Sequence, residues 1–441
     1  MTAAIAAHQG GAVFARMGRN LAWLLGGRGF QAVASLLYLG LAARTLGPGR
    51  FGEFTLVLAY GQMIANIAQF QSWQTVIRYG TIHIASGRRD RLGRLLGLST
   101  LFDIGGALLG AAVAGAGVAL AAGWLDWDMI ERQRAAWFGV ALLLSIGATP
   151  TGMLRLVDRF DLTAYCQAVG PLVRLAGAVL AWTTDGGVGL FLIAWAAAAL
   201  LQHAATWVAA LAWTGLPLAI GPRCASIAQR ENRGIWRFTL TTTAAGTVGL
   251  LGEQLATLAI GGAVGAAAAG GFRIASKIAR ALAKPIQIAA RVLYPELARL
   301  HASADRATLD HVIARVSRYA VGLSLAVIVV ALAAGGLLID LLAGPAYGFT
   351  RDMLVVLALG VAIDLSGFAL EPLLIAQGRA GVVLAIRVAG VALLGVLLIA
   401  LLPTMGAMAA AIATAVASLV MRVALGRAAA ALSERQFPPS C

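Results

Sequence analysis

The sequence is poor in charged residues, and acids are scarcer still than bases. Only 12% of its 441 residues are charged, 60% are hydrophobic, and the mean hydropathy is +0.84. A soluble protein carries about a quarter charged residues. Asp and Glu number 19 against 34 Lys and Arg, which gives a net charge of +15. This shortage of solvated side chains excludes an ordinary soluble protein and indicates a core that faces lipid.

Cysteine and catalytic motifs are also scarce. Cys166, Cys224 and Cys441 show no paired spacing, so neither a disulfide framework nor a zinc site is predicted. The five histidines lack metal-ligand spacing. The sequence contains no phosphate-binding Gly-x-x-x-x-Gly-Lys loop, and no serine or cysteine lies in a recognisable nucleophile motif. We therefore predict no cofactor, no metal and no catalytic residue, and we do not expect an enzyme.

Long uncharged runs recur along the chain. A helix that crosses a bilayer needs about 20 apolar residues, and residues 54–77 and 319–339, for example, carry no formal charge. We predict an all-α membrane protein of about twelve transmembrane helices. The predicted spans are 20–43, 54–78, 95–123, 135–154, 162–182, 188–214, 237–260, 270–295, 317–343, 352–376, 381–402 and 404–427.

Arginines at the ends of these spans are distributed unevenly. With the ends taken as alternating sides, one side has 22 of them and the other has 5. By the positive-inside rule the richer side is cytoplasmic, which places both termini in the cytoplasm. Nucleic acid is not expected as a partner, because there is no soluble basic domain to bind it. The five arginines of the predicted outer side are Arg44, Arg50, Arg132, Arg134 and Arg351.

The two halves of the sequence show a weak internal repeat. Residues 46–54 align without gaps on residues 264–272, an offset of 264 − 46 = 218. Two related six-helix lobes around a central cavity are a common transporter plan. We predict an N-terminal lobe of residues 1–215, a cytoplasmic linker of residues 216–236, and a C-terminal lobe of residues 237–441 that ends in a short cytoplasmic tail.

Four bases lie on one face of the eighth predicted helix. Arg273, Lys277, Arg280 and Lys284 are spaced by four, three and four residues, within an arc of roughly 60°. If these four side chains faced lipid, their transfer into the bilayer would cost on the order of 10 kcal/mol of free energy. Embedded acids are too few to neutralise all embedded bases, which suits an anionic substrate group such as phosphate. Arg28, in the first helix, is predicted as a further cationic contact.

Two alternatives stay open for these polar helix faces. The eighth helix could instead dip into the cytoplasmic leaflet, where its bases would reach lipid phosphates. On the second helix, Gln62, Asn66 and Gln69 are predicted to bind sugar hydroxyls, and ordinary interhelical hydrogen bonding is the alternative.

Three acids lie within predicted spans, namely Glu253, Asp103 and Asp364. Each either takes up a coupling proton or sodium ion or pairs with embedded bases. For Glu253 those bases would be the ones on the eighth helix.

Residues 39–54, Leu-Gly-Leu-Ala-Ala-Arg-Thr-Leu-Gly-Pro-Gly-Arg-Phe-Gly-Glu-Phe, resemble the signature of polysaccharide flippases. These belong to the multidrug/oligosaccharidyl-lipid/polysaccharide exporter superfamily. Residues 152–161, 270–277 and 293–299 are similar to further patterns of the family, so the resemblance covers nearly the whole chain. Residues 262–269 depart from it, because they lack the usual Gly-Pro turn.

The resemblance implies a specific function. A two-lobe bundle in the bacterial inner membrane would move undecaprenyl-diphosphate-linked oligosaccharide from the cytoplasmic to the outer leaflet by alternating access, for O-antigen or exopolysaccharide synthesis. Membrane lipids, a coupling proton or sodium ion, a polysaccharide polymerase and a chain-length regulator would be further partners. The cation-lined cavity of the family carries over to Arg28, Arg273, Lys277, Arg280 and Lys284.

Two other functions compete with this one. A multidrug exporter of the same superfamily handles organic cations and would require an interior rich in acids. A polytopic glycosyl polymerase or ligase would require a long outer loop to carry its active residues. No predicted outer loop exceeds about a dozen residues.

Overall fold

The computed structural model describes the backbone of residues 2–302, 306–367, 370–371, 374 and 379–436. It describes the side chains of residues 29, 31–119, 121, 123–284, 321–367, 370–371, 374, 379 and 381–430. Within these residues the regular structure is helical. The helices are α1 Thr2–Ala68, α2 Ser72–Ala85, α3 Arg89–Trp124, α4 Met129–Leu144, α5 Thr149–Leu156, α6 Phe160–Thr183, α7 Val188–Thr214, α8 Pro222–Glu231, α9 Ile235–Ala263, α10 Ala266–Ala302, α11 Arg306–Leu342, α12 Arg351–Ser366, α13 Ala380–Met405 and α14 Met408–Gln436.

Eight helical spans in the described part of the chain are long and apolar enough to cross a membrane. The most apolar, Gly381–Met405 and Val321–Leu342, have mean hydropathies of 2.7 and 2.6. Large apolar side chains on these helices point outward, such as Ile399, which is 80% exposed. Apolar helix surfaces that protein does not cover suit contact with lipid. The prediction of an all-α, multi-pass membrane protein is confirmed.

The junction between the first two predicted spans is a kink of one residue within α1. Gly47 has φ 69° and ψ 172°, a conformation that L side chains rarely adopt and that glycine adopts readily. The helix resumes at Pro48, and proline is well tolerated in a first helical turn. A short turn of glycine and proline therefore redirects the chain here.

Two predicted spans are interrupted where the sequence indicated continuous helices. Span 54–78 is divided between α1 and α2, and span 135–154 is divided between α4 and α5. At the first break the N–H of Gln71 donates to Thr243 Oγ1 at 3.0 Å. At the second, the N–H of Thr149 donates to Asp103 Oδ2 at 3.0 Å. Side chains of other helices replace the missing helical acceptors, which makes both breaks stable.

The described helices form two compact units. Unit 1 comprises Met1–Tyr38, Gly61–Ala121 and Asp128–Thr247. Its apolar core includes Val76, Leu95, Phe102, Met153 and Leu154, all less than 5% exposed. The short helix α8 is attached to α3 in this unit by Arg94, whose Nε and Nη2 donate to the two carboxylate oxygens of Glu231 at 3.1 and 2.7 Å.

Unit 2 comprises Leu39–Tyr60, Ala122–Trp127 and Val248–Cys441. In this unit α10 packs against α11 and α12, and α14 packs against α12 and α13. Each unit includes residues from both halves of the sequence. The division into an N-terminal lobe, a linker and a C-terminal lobe stays a prediction.

Candidate substrate-binding site

The basic stripe of α10 lies in unit 2, on a helix whose other face is packed. Ile274 and Ile278 are buried in the core, so the helical spacing of the bases directs them to a different side. Arg273 is 2% exposed, the Lys277 side chain is 34% exposed and the Arg280 side chain is 51% exposed. Exposure therefore rises from Arg273 through Lys277 to Arg280.

Glu253 of α9 pairs with two of these bases. Its carboxylate is 6% exposed, and its two oxygens lie 3.2 Å from Lys277 Nζ and 2.8 Å from Arg280 Nη1. Arg273 also lies close enough to interact electrostatically with it. Of the two interpretations that the sequence left open for Glu253, the ion pair with α10 is therefore present. Lys277 and Arg280 thus share one carboxylate.

Asp364 of α12 extends the charged cluster towards other helices of unit 2. It lies near the Ser418 hydroxyl and interacts electrostatically with Arg280 and with Glu371. Glu371 in turn accepts two hydrogen bonds from Arg387, from Nε and Nη2, both at 2.7 Å. Such a bidentate pair is the strongest form of arginine–carboxylate contact.

The bases of α10 outnumber the acid that pairs with them. Glu253 pairs with both Lys277 and Arg280. Lys284 follows one turn along α10 and forms no ion pair with any residue whose side chain is described. Such a surface can bind an anion.

Asp103 occupies a different environment, in unit 1. It is 5% exposed, and it accepts hydrogen bonds from the hydroxyls of Ser72 at 2.7 Å and Thr149 at 2.6 Å, as well as from the Thr149 N–H. Among the residues whose side chains are described, its partners are neutral donors and not a base. The carboxylate joins α3 to the first residues of α2 and α5, and this structural role was not predicted. A coupling role for Asp103, Asp364 or Glu253 stays a prediction.

The predicted sugar-binding residues lie near the break between α1 and α2. Gln62 and Asn66 belong to the last turns of α1, and Gln69 follows its final residue. All three are partly buried. Their role in binding sugar stays a prediction, and the side chain of Arg28 lies outside the described residues.

Three threonines of α9 form contacts that the sequence analysis missed. Thr239 Oγ1 bonds Thr75 Oγ1 at 2.8 Å, Thr243 accepts from the N–H of residue 71, and Thr247 donates to the carbonyl oxygen of Asn66 at 3.1 Å. Their spacing of four residues places them on one helix face, and this spacing was readable in the sequence. They hold the broken helix in unit 1.

A further cation of unit 1 rests against an aromatic ring. The guanidinium of Arg174 in α6 lies 4.3 Å from the ring centroid of Trp195 in α7. Among the described side chains no acid pairs with Arg174. The Trp195 ring supplies an attractive surface for a cation removed from water, which accounts for this embedded base without a substrate.

Comparison with known proteins assigns the fold and then the family. The chain resembles the inward-closed structure of the lipid II flippase MurJ, with a TM-score of 0.71 and 11% identity over 92% of this chain and 87% of that one. It also resembles an inward-facing multidrug resistance transporter of the MATE family, with a TM-score of 0.67 and 13% identity over 95% of this chain and 96% of that one. For a MOP superfamily transporter from Pyrococcus furiosus the TM-score is 0.63 and the identity is 14%, over 95% of this chain and 96% of that one. The fold is that of the MOP superfamily of membrane transporters.

Sequence comparison assigns the chain to one family. Residues 17–301 match the polysaccharide biosynthesis protein family, and the chain belongs to that family. It is also 31% identical to the inner membrane protein YghQ of Escherichia coli (strain K12) over 343 residues, which cover 76% of this chain and 95% of YghQ. The resemblance stated from residues 39–54 is thereby confirmed, and the proteins of this fold named above are transporters and flippases.

Proposed function

We propose that this protein is an alternating-access flippase for polyprenyl-diphosphate-linked oligosaccharide. It would carry the substrate from the cytoplasmic to the outer leaflet of the bacterial inner membrane, for O-antigen or exopolysaccharide synthesis. The observation that carries the proposal is the row of bases on α10, where Lys277 and Arg280 share the carboxylate of Glu253 and Lys284 forms no ion pair with a described side chain. Membership of the polysaccharide biosynthesis family supports the same substrate class.

The chemistry of the stripe suits a diphosphate better than a drug cation. Arg280 keeps half of its side chain exposed although it pairs with Glu253, and a guanidinium has five N–H donors. It can therefore hold a phosphate oxygen while it keeps its carboxylate. An organic cation would meet a row of bases here, which disfavours the multidrug exporter that the MATE-like fold leaves open.

The remaining parts of the proposal follow from the predicted topology. A central cavity between the predicted lobes would receive the sugar at Gln62, Asn66 and Gln69. A proton or sodium ion taken up at Asp364 or Asp103 would drive the return of the empty carrier. A polysaccharide polymerase and a chain-length regulator would act on the product in the outer leaflet.

Single substitutions along the stripe test the proposal in proteoliposomes. Lys277→Gln, Arg280→Gln and Lys284→Gln each remove one base, and each is expected to raise KM for undecaprenyl-diphosphate-linked oligosaccharide about tenfold, the effect of ~1.4 kcal/mol. The matched control is Arg427→Gln, which removes an exposed base of α14 that forms no ion pair with a described side chain. KM should stay unchanged there.

The same proteoliposomes separate the competing functions. Unchanged KM in all three stripe variants would reject the phosphate site. Export of an organic cation such as ethidium, with no flipping of the lipid-linked oligosaccharide, would establish the multidrug exporter instead. Lengthening of the glycan by the purified protein would identify a polymerase.

A further inference from the structure

The signature segment 39–54 takes no part in the basic site, yet it makes dense contacts inside unit 2. The guanidinium of Arg44 donates from Nη2 to the carbonyl oxygens of Asp340 at 2.9 Å and Leu341 at 2.7 Å, and from Nε to that of Leu342 at 3.2 Å. These carbonyls form the last turn of α11. One side chain thus joins two segments almost 300 residues apart in the sequence.

Arg44 completes the hydrogen bonding of a helix end. The last four carbonyl groups of a helix have no helical partner, and a cation is favoured beside them by the helix dipole. The first of the four, that of Ile339, accepts from the N–H groups of Ala343 and Gly344 at 2.7 and 3.2 Å. Arg44 occupies the other three. The signature segment therefore caps the end of α11.

An aromatic contact reinforces the junction. The hydroxyl of Tyr347 donates to the carbonyl oxygen of Ala43 at 3.1 Å. The Tyr347 ring also meets Phe51 edge to face, with ring centroids 6.0 Å apart. Both rings are almost fully buried, so the same two segments are joined by polar and apolar contacts together.

Glycines allow the backbones themselves to touch. A Cβ at Gly52 would overlap the carbonyl group of Ala266. A Cβ at Gly40 would lie 2.6 Å from the carbonyl oxygen of Leu342, and one at Gly270 would lie 3.0 Å from the ring of Phe51. Real Cβ atoms essentially never come under 3.0 Å from such groups. Any side chain at Gly52 would force the segments apart.

From these contacts we infer that residues 39–54 form a closed seal with residues 266–272 and 339–351 on the predicted outer side, and that this seal must part for substrate to leave. The inference rests on the proposed flippase function. Arg44 and Arg351 both lie on the predicted outer side, and the Arg44 hydrogen bonds are exposed. Water can replace Arg44 at the three carbonyls, so the contact is reversible.

Thr55, behind the seal, provides a reporter. It is fully buried, and its hydroxyl has no hydrogen-bond partner among the described residues, so Thr55→Cys preserves the packing. Cys224 and Cys441 are replaced by Ser, and Cys166 is buried. The rate at which a membrane-impermeant maleimide labels Thr55→Cys from outside intact cells then reports opening of the seal.

Gly52→Ala and Arg44→Gln are compared with Gly49→Ala, in which the added Cβ meets nothing within 4 Å. We expect labelling in the first two to be about tenfold faster, because the loss of two or three hydrogen bonds or a backbone clash shifts an opening equilibrium by at least that factor. Gly49→Ala should label at the parent rate. If the Gly52→Ala protein does not accumulate in the membrane, the labelling rate of Arg44→Gln alone is compared with that of Gly49→Ala.

Labelling needs no substrate, so it is separate from the proposed transport. Faster labelling in Arg44→Gln with the Gly49→Ala rate unchanged supports the seal, whatever the protein carries. Equal rates in all variants, or rapid labelling of the parent, overturn the seal even if flipping persists. Labelling only after permeabilisation also overturns it, because the segment would then lie on the cytoplasmic side.

Discussion

The pairing of Glu253 shows how one carboxylate organises several bases. The sequence indicated both the basic stripe of α10 and an ion pair as one role for this acid. It could not give the partners, because α9 and α10 are joined by a turn whose geometry sets which bases come within reach. The structure selects Lys277 and Arg280 at 3.2 and 2.8 Å.

Replacing this acid should destabilise the protein. Breaking a buried ion pair costs about 3–5 kcal/mol, and because Lys277 and Arg280 stay partly exposed we expect about 1–3 kcal/mol for Glu253→Gln. Thermal unfolding of the detergent-solubilised protein should show a Tm lower by several degrees. Asp340→Asn is the control, since this exposed side chain forms no ion pair with a described residue. Equal Tm values in both variants would contradict a structural role for the pair.

The hydrogen-bond partners of Asp103 could not be predicted from the sequence. An acid within a membrane span suggests a base or an ion as its partner, and among the described residues its partners are the hydroxyls of Ser72 and Thr149 and one backbone N–H. Serine and threonine are too common in membrane helices to be recognised as partners from their positions. Only the fold brings them together.

At the scale of elements, the interrupted helices were the main error of the sequence analysis. Residues 54–77 and 135–154 carry no formal charge, and a hydropathy pattern does not distinguish a continuous helix from a broken one. The first break contains neither proline nor glycine, whereas the second contains Gly147 and is followed by Pro150 in the first turn of α5. Both depend on hydrogen bonds from distant side chains, Thr243 and Asp103.

The break between α1 and α2 should therefore depend on Thr243. Thr243→Val removes the acceptor of the Gln71 N–H and leaves that donor unsatisfied, which costs about 1–3 kcal/mol. Hydrogen exchange of peptides that cover residues 69–75 should become faster. Thr241→Val is the matched control, because the Thr241 hydroxyl is exposed and bonds only the Arg237 carbonyl of its own helix. Similar exchange in the two variants would show that the break does not need Thr243.

At the scale of the whole molecule, the sequence was sufficient for the class and the family. Composition and repeated apolar runs predicted a multi-pass helical protein, and residues 39–54 predicted the family; both are confirmed. The predicted lobes, the number of twelve helices and the cytoplasmic termini stay predictions. Sidedness depends on a membrane, and atomic contacts within a chain do not define it.

Cysteine labelling tests the sidedness directly. Cys224, on α8 in the predicted cytoplasmic linker, is partly exposed. In a Cys441→Ser background it should react with an impermeant maleimide only after the cells are permeabilised, because the positive-inside rule places this linker inside. The control is Arg50→Cys with Cys224 and Cys441 replaced by Ser, which should react in intact cells. If Cys224 reacted in intact cells and Arg50→Cys reacted only after permeabilisation, the topology would be the inverse of the predicted one.

The cap on α11 has a consequence for how this part of the protein can evolve. Arg44 binds main-chain oxygens of Asp340, Leu341 and Leu342, and every amino acid supplies such an oxygen. The partner surface is thus encoded by helix geometry and not by residue identity. Substitutions at positions 340 and 341 leave these main-chain acceptors in place, whereas a substitution of Arg44 removes all three hydrogen bonds at once.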